Sequence, residues 1–147
     1  MAKFKQPANF DLGFEEIEPF TSFTPANIIT EAYPLLFRDV PKEVKEYAKE
    51  LLAKDWTIHP VRQDRGRCYA RAKVITIPEF AINRGVEFKT WYISHEIAHA
   101  YDKCIHNHGP EFMEWLKKIC PENCIHFELG YKPRNAAAAG ITRPFIL

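Results

Sequence analysis

No stretch of this chain approaches the roughly 20 consecutive apolar residues that a bilayer-spanning helix needs, so no segment reads as transmembrane. Net charge is almost absent as well. Twenty Lys and Arg face nineteen Asp and Glu, leaving a formal +1, and no overall field draws the protein to nucleic acid or to a membrane surface. The opening Met1-Ala2-Lys3-Phe4-Lys5-Gln6-Pro7 carries positive charge but not the apolar stretch of a secretion signal, so a cytoplasmic protein is the expectation. Cysteine is sparse, with Cys68, Cys104, Cys120 and Cys124. The Cys120-Pro121-Glu122-Asn123-Cys124 pair could form half of a metal site, with His126. A closed zinc site needs four ligands, however, and the other two cysteines are remote in sequence. Reduced thiols at a helix end broken by Pro121 are the favoured reading, ahead of a Cys120–Cys124 disulfide. What the chain does have is 147 residues with 46% hydrophobic content, enough for one compact core and too little for two domains.

The most informative segment is His95-Glu96-Ile97-Ala98-His99. Histidines four apart on a helix project from one face, one turn apart, so their ring nitrogens can converge on a single ion. A glutamate directly after the first histidine lies near enough to take a proton from a metal-activated water. Five residues arise by chance often enough that context decides. From Val86 to Lys103 there is neither proline nor glycine, and Gly85 suits a break just before a helix. Trp91, Ile93, Ile97, Ala98, Ala100 and Tyr101 surround the motif as expected of a buried helix. Polar groups in such a helix are costly unless bound or hydrogen-bonded. The competing reading, two satisfied core histidines with Glu96 in an ion pair, is the weaker one.

A hydrolytic zinc site takes three protein ligands and leaves one position open. His108 is the natural third ligand, since it directly precedes Gly109-Pro110, where proline suits the first turn of a new helix. Phe112, Trp115, Leu116 and Ile119 repeat at helical spacing, so that helix can pack back on the first. His106 is a rival ligand and Glu111 a weaker one.

His95-Glu96-Ile97-Ala98-His99-Ala100-Tyr101 followed by His108-Gly109-Pro110-Glu111-Phe112 resembles the SprT-like metallopeptidases, a family that includes the Spartan protease, which removes proteins crosslinked to DNA. The resemblance extends roughly from Val44 to Phe127. It implies zinc held by His95, His99 and His108, with Glu96 as catalytic base, and a helix and strands before the active-site helix. Two departures stand out. The connection between His99 and His108 is shorter than is usual in the family, and no zinc ribbon is recognisable after the core.

Upstream, residues 1–24 are rich in phenylalanine (Phe4, Phe10, Phe14, Phe20, Phe23) and read as an arm lying over the core. Pro25 to Phe37 reads as a short helix capped by Thr24, which Pro34 would kink or end. Lys42 to Ala53 is clearly amphipathic, with Val44, Tyr47, Ala48, Leu51 and Leu52 inward. Trp56 to Val61 is a first strand, and Gln63 to Gly66 a turn. Arg67 to Ile77 alternates as a strand, strongest over Val74–Ile77 and ended by Pro78. Its position before the metal helix suits an open edge to which an extended substrate adds as a strand; a wholly internal strand is as good a reading. The expected fold is α+β and zincin-like: helices on a small, mostly antiparallel sheet, in a domain over residues 25–131. The tail, 132–147, carries Ala136 to Gly140 and an apolar end, Phe145-Ile146-Leu147, that favours docking.

The expected activity is zinc-dependent hydrolysis of peptide bonds in protein substrates. Tyr69, Tyr101, Tyr131 and His126 are candidates to stabilise the oxyanion. Lys54, Arg62, Arg65, Arg67, Arg71 and Lys73 cluster around the expected strands, and the tail adds Lys132, Arg134 and Arg143. Of these, Arg67, Arg71 and Lys73, together with Tyr69, are candidate contacts to substrate or to single-stranded DNA, with Trp56 or Tyr69 available to stack on bases. A merely solvated positive face is the competing reading. A catalytically silent, zinc-supported DNA-binding or adaptor module is the alternative function, against which the intact Glu96 speaks.

Overall fold

A computed structural model describes residues 23–130, apart from 104, 106 and 107. Its elements run in the order of a 3-10 turn Thr30–Ala32, α1 (Tyr33–Leu36), α2 (Lys42–Leu52), β1 (Thr57–Val61), β2 (Arg67–Tyr69), β3 (Val74–Pro78), α3 (Glu79–Ile82), α4 (Val86–Tyr101), α5 (Pro110–Ile119) and α6 (His126–Gly130). The architecture is a small α+β fold.

The expected helix over 25–37 is reduced to the 3-10 turn and the four residues of α1. Ile29 occupies the cap position with no side-chain hydrogen bond, so Thr24 caps nothing, and Pro34 sits in the first turn of α1. Proline thus starts this helix instead of kinking it, because its missing N–H has no partner to lose there. α2 buries Val44, Ala48 and Leu51 along one face with Tyr47 half-buried beside them, but Leu52, expected inward, is exposed at the helix end where it turns off that face. Asp55, at φ +72°, then reverses the chain into β1.

The sheet is mixed, in the order β1-β3-β2, which corrects the expectation of a mostly antiparallel one. β1 pairs with β3 in parallel, from Thr57 opposite Val74 to Val61 opposite Pro78. β2 pairs antiparallel with β3, from Arg67 opposite Thr76 to Tyr69 opposite Val74. The reason is local. Arg67 to Ile77 is not one strand but a hairpin, because the chain turns over residues 70–73 with Lys73 at φ +61°. The hairpin places β2 on one side of β3, so β1 can reach only the other side. β3 is buried at every position and is the internal strand; the outer strand towards α4 is β2. The outer side of β1 is covered by the segment around Ile28, whose neighbour Ile29 donates its N–H to the Pro60 carbonyl at 2.9 Å.

α4 runs through the middle of this arrangement. Gly85 precedes it at φ +107°, a conformation that a side chain would strain. Trp91, Ile93 and Ile97 of α4 are fully buried with Ile75 and Ile77 of β3 and Phe112 and Leu116 of α5. Burial on all sides explains why this helix lacks an amphipathic stripe. Lys89 is also buried, and its ammonium donates to the Leu35 carbonyl at 2.7 Å and the Arg38 carbonyl at 2.9 Å. Burial holds the Lys89 pKa below the ordinary lysine value.

Gly66 is wedged between the sheet and α4. Its N–H donates to the Tyr92 hydroxyl at 2.8 Å, and an added Cβ would stand 2.5 Å from the Thr76 carbonyl oxygen and 2.8 Å from the Tyr92 ring. The carbonyl belongs to the central strand and cannot move aside cheaply. Gly66→Ala is therefore expected to cost about 1–3 kcal/mol, seen as a lower urea midpoint at unchanged slope. An unchanged midpoint would show that β2 can shift away from α4.

Candidate metal centre

α4 carries His95 and His99 on one face, one turn apart. The chain leaves α4 after Asp102, with Lys103 at φ +56°, and returns to the same face at His108, directly before Gly109 caps α5 and Pro110 begins it. α5 is locked to α4 through Phe112, Leu116 and Ile119. The Phe112 ring lies 5.0 Å from the His95 ring, 4.4 Å from His99 and 5.1 Å from His108, centroid to centroid, and forms an apolar floor beneath all three.

Three imidazoles meet over that floor. His108 Nε2 lies 3.2 Å from His99 Nε2 and 3.3 Å from His95 Nε2, and ligand atoms of the three residues all lie within 4.8 Å of one another. A tetrahedral ion with nitrogen ligands at about 2.0–2.1 Å separates those nitrogens by about 3.3 Å. Hydrogen bonding alone accounts poorly for the cluster: His108 Nε2 carries either one proton or one lone pair and can serve only one of its two contacts. Three ring nitrogens gathered in one place suit a shared cation, and His95, His99 and His108 are close enough to hold one.

The protonation state of His99 agrees. Burial, together with His95 and His108 nearby, pushes the His99 pKa down to about 3, so its imidazole stays neutral. His95 is buried too, which by itself disfavours its charge. The hydrogen bond and charge of Glu128 outweigh this and raise its pKa. Glu128 Oε1 accepts from His95 Nδ1 at 2.7 Å and from Trp91 Nε1 at 3.0 Å. Burial would raise the Glu128 pKa, but these bonds and the neighbouring charge bring it below the usual carboxylate value. Sequence reasoning missed Glu128. It sits on α6, which begins five residues after Pro121, where no apolar periodicity announces an element.

Glu96 is buried at 5% exposure beside the histidines. Burial, assisted by the charge of Glu128, pushes its pKa up to about 7 against the opposing pull of His95 and Arg67. A carboxylate poised near neutrality is suited to exchanging protons. It lines a cleft of about 410 Å³ with the three histidines, Trp91, Tyr92, Ile105 and residues 65–69 of β2 and its approach.

The comparison with known proteins adds no relative. No family model, curated protein or solved structure matches this chain. The reading of the site rests on its geometry.

The other candidates divide. Arg67 and Tyr69 line the cleft, whereas Arg71 and Lys73 stand at the hairpin turn outside it. The expected basic cluster is broken up: Arg62 pairs with Glu79 at 3.1 Å, and the Lys73 ammonium donates to the Lys54 carbonyl at 3.1 Å. Trp56, at 8% exposure, is too buried to stack on a base. Among the oxyanion candidates, Tyr101 is ruled out. Its hydroxyl bonds Glu50 and the Tyr47 carbonyl, and its ring stacks on Trp115 at 4.8 Å, outside the cleft. His126 is exposed against Phe127 and also outside the cleft; Tyr69 remains. Tyr131, the rival ligand His106, Cys104, most of the 1–24 arm and the 132–147 tail lie outside the described residues. Cys120, Cys124 and His126 form no metal-holding group among the described residues. Burial raises both thiols, Cys120 to about 12 and Cys124 to about 11, which suits inert reduced cysteines. No helix among the described residues is long and apolar enough to cross a membrane.

Proposed function

We propose that the protein is a zinc-dependent endopeptidase of the SprT-like kind. The observation that carries this reading is the convergence of three histidines, with His108 Nε2 3.2 Å from His99 Nε2 and 3.3 Å from His95 Nε2, in the same cleft as a buried glutamate. The donor set favours zinc: three imidazoles with no thiolate leave one position open, the pattern of hydrolytic rather than structural zinc. When bound, zinc would act as a Lewis acid that acidifies water and polarises a carbonyl.

The chain's own residues supply the rest. Glu96 takes a proton from the attacking water and delivers it to the departing amine nitrogen. The β2 wall, Arg67 to Tyr69, is the outer strand beside the histidines and offers its backbone to an extended peptide, so the substrate strand adds to β2 and not to the internal β3. Tyr69 is the cleft hydroxyl suited to the oxyanion. Arg65 and Arg67 make the rim basic, which supports protein substrates associated with DNA.

The test is cleavage of casein and of a DNA-binding protein, with zinc, with chelator, and with or without single-stranded DNA. Zinc-dependent cleavage is expected, and stimulation by single-stranded DNA that fades as salt rises would support the DNA contact. A fully zinc-loaded protein that cleaves neither substrate would leave the silent-module alternative standing.

A further inference from the structure

The geometry points to Glu128 as a positioning residue that fixes the tautomer and orientation of His95 for the metal. This inference rests on the zinc reading above and goes beyond it, since nothing in the motif requires a carboxylate from α6.

α6 rests on α4 through the half-buried Phe127 ring, whose centroid lies 5.2 Å from Phe88 and 6.0 Å from Trp91, and Glu128 is the next residue along it. What it delivers is one carboxylate. The Glu128 side chain is 13% exposed and the His95 side chain 9%. A carboxylate withdrawn from water to that degree needs hydrogen-bond donors. Glu128 finds two, both on α4 and one turn apart: the indole N–H of Trp91 and Nδ1 of His95, converging on the same oxygen at 3.0 and 2.7 Å. Because Trp91 can only donate, it holds that oxygen in place between the two rings.

The consequence for His95 is specific. When Nδ1 donates to Glu128, Nε2 keeps its lone pair, and Nε2 is the atom that faces His108 at 3.3 Å. Nδ1 and Nε2 point to opposite sides of an imidazole. Glu128 therefore lies behind His95 relative to the three-histidine centre and is not a fourth ligand; the metal-holding group comprises His95, His99 and His108 without it. A carboxylate behind a ligating histidine locks the ring and makes its free nitrogen a better donor, and losing one commonly costs 10- to 100-fold in metal affinity.

Two variants separate this role from mere anchoring of α6. Glu128→Ala removes the acceptor; Glu128→Gln keeps its shape and loses its charge. Zinc affinity, measured by competition with a chelating dye, is expected to fall roughly 10- to 100-fold for Glu128→Ala and less for Glu128→Gln. In the metal-free protein, at a pH high enough to keep His95 neutral, its ring nitrogens are expected to show the Nδ1–H form by nitrogen-15 NMR. That signature should become a mixture of tautomers in Glu128→Ala, which a purely structural anchor would not cause. If Glu128→Ala does not fold, Glu128→Gln decides the matter by the same two readouts. Wild-type zinc affinity and an unaltered His95 tautomer in the variants would overturn the inference while leaving the zinc reading intact. A wild-type protein that binds no zinc would overturn both.

Discussion

Exchanging Glu96 for glutamine is expected to leave zinc bound and to lower peptide hydrolysis by roughly 10²- to 10⁴-fold, the usual contribution of a positioned acid-base group. Glutamine keeps the volume of glutamate, so the packing around a residue of 5% exposure is preserved. The Nε2 atoms of His95, His99 and His108 are not touched. What is lost is the ability to accept and return a proton. Stability offers an independent control. A buried acid whose pKa is raised to about 7 is ionised more easily in the unfolded chain, so in the metal-free protein it weakens the fold as pH rises from the ordinary glutamate range towards 7. Glu96→Gln removes that penalty, and its metal-free thermal midpoint at neutral pH should equal or exceed the wild-type value. Activity lost together with stability would point to misfolding. Retained hydrolysis in a clean, zinc-loaded Glu96→Gln preparation would refute the assigned base.

The site was far more legible in the sequence than the sheet, and the reason is physical. His95, Glu96 and His99 lie within one helical turn, where spacing alone determines which side chains meet. His108 was readable because Gly109 and Pro110 mark the start of α5, and the Phe112–Ile119 periodicity says that α5 folds back on α4. Pairing in the sheet is decided by a turn. The alternation from Arg67 to Ile77 carries straight through residues 70–73, and nothing in that pattern reveals the left-handed Lys73 that makes a hairpin of it. A two-stranded hairpin beside a parallel neighbour follows from that one residue. The first helix was overestimated for a similar reason, since Pro34 can end a helix or begin one and only its neighbours decide.

Glu128 shows a different limit. It reaches His95 from 33 positions away, on an element too short for periodicity. A carboxylate that finds its partners by tertiary contact leaves no local trace. The basic residues erred in the opposite direction. Lys54, Arg62 and Lys73 look like one patch in sequence, yet Glu79 engages Arg62 and the Lys54 carbonyl engages Lys73, leaving the positive charge nearest the histidines to Arg65 and Arg67. Charge near a site is thus assigned by the fold, even where charge in the chain is plain.

His108→Ala is the second large expected effect, and its size follows from the ligand count. Four-ligand structural zinc sites are worth about 10–16 kcal/mol in apparent binding, so one ligand in such a set carries roughly 3 kcal/mol, on the order of a hundredfold in affinity. His108 is the exposed member of the trio and belongs to the connection between α4 and α5, whereas His95 and His99 are set by the buried helix. Removing it should therefore leave the metal-free fold within about 0.5 kcal/mol of wild type. The loss should surface when zinc is added. A ligand that binds only the folded state stabilises it by about 2.7 kcal/mol at a hundred times its dissociation constant. At a zinc concentration that raises the wild-type midpoint by that amount, His108→Ala should show only a small rise. An equal rise in both proteins would mean that the third ligand lies elsewhere, and His106→Ala, compared in the same titration, would then identify it. A rise in neither protein would show that His95 and His99 on α4 do not form a zinc site with His108, and the convergence of their Nε2 atoms would need another cause.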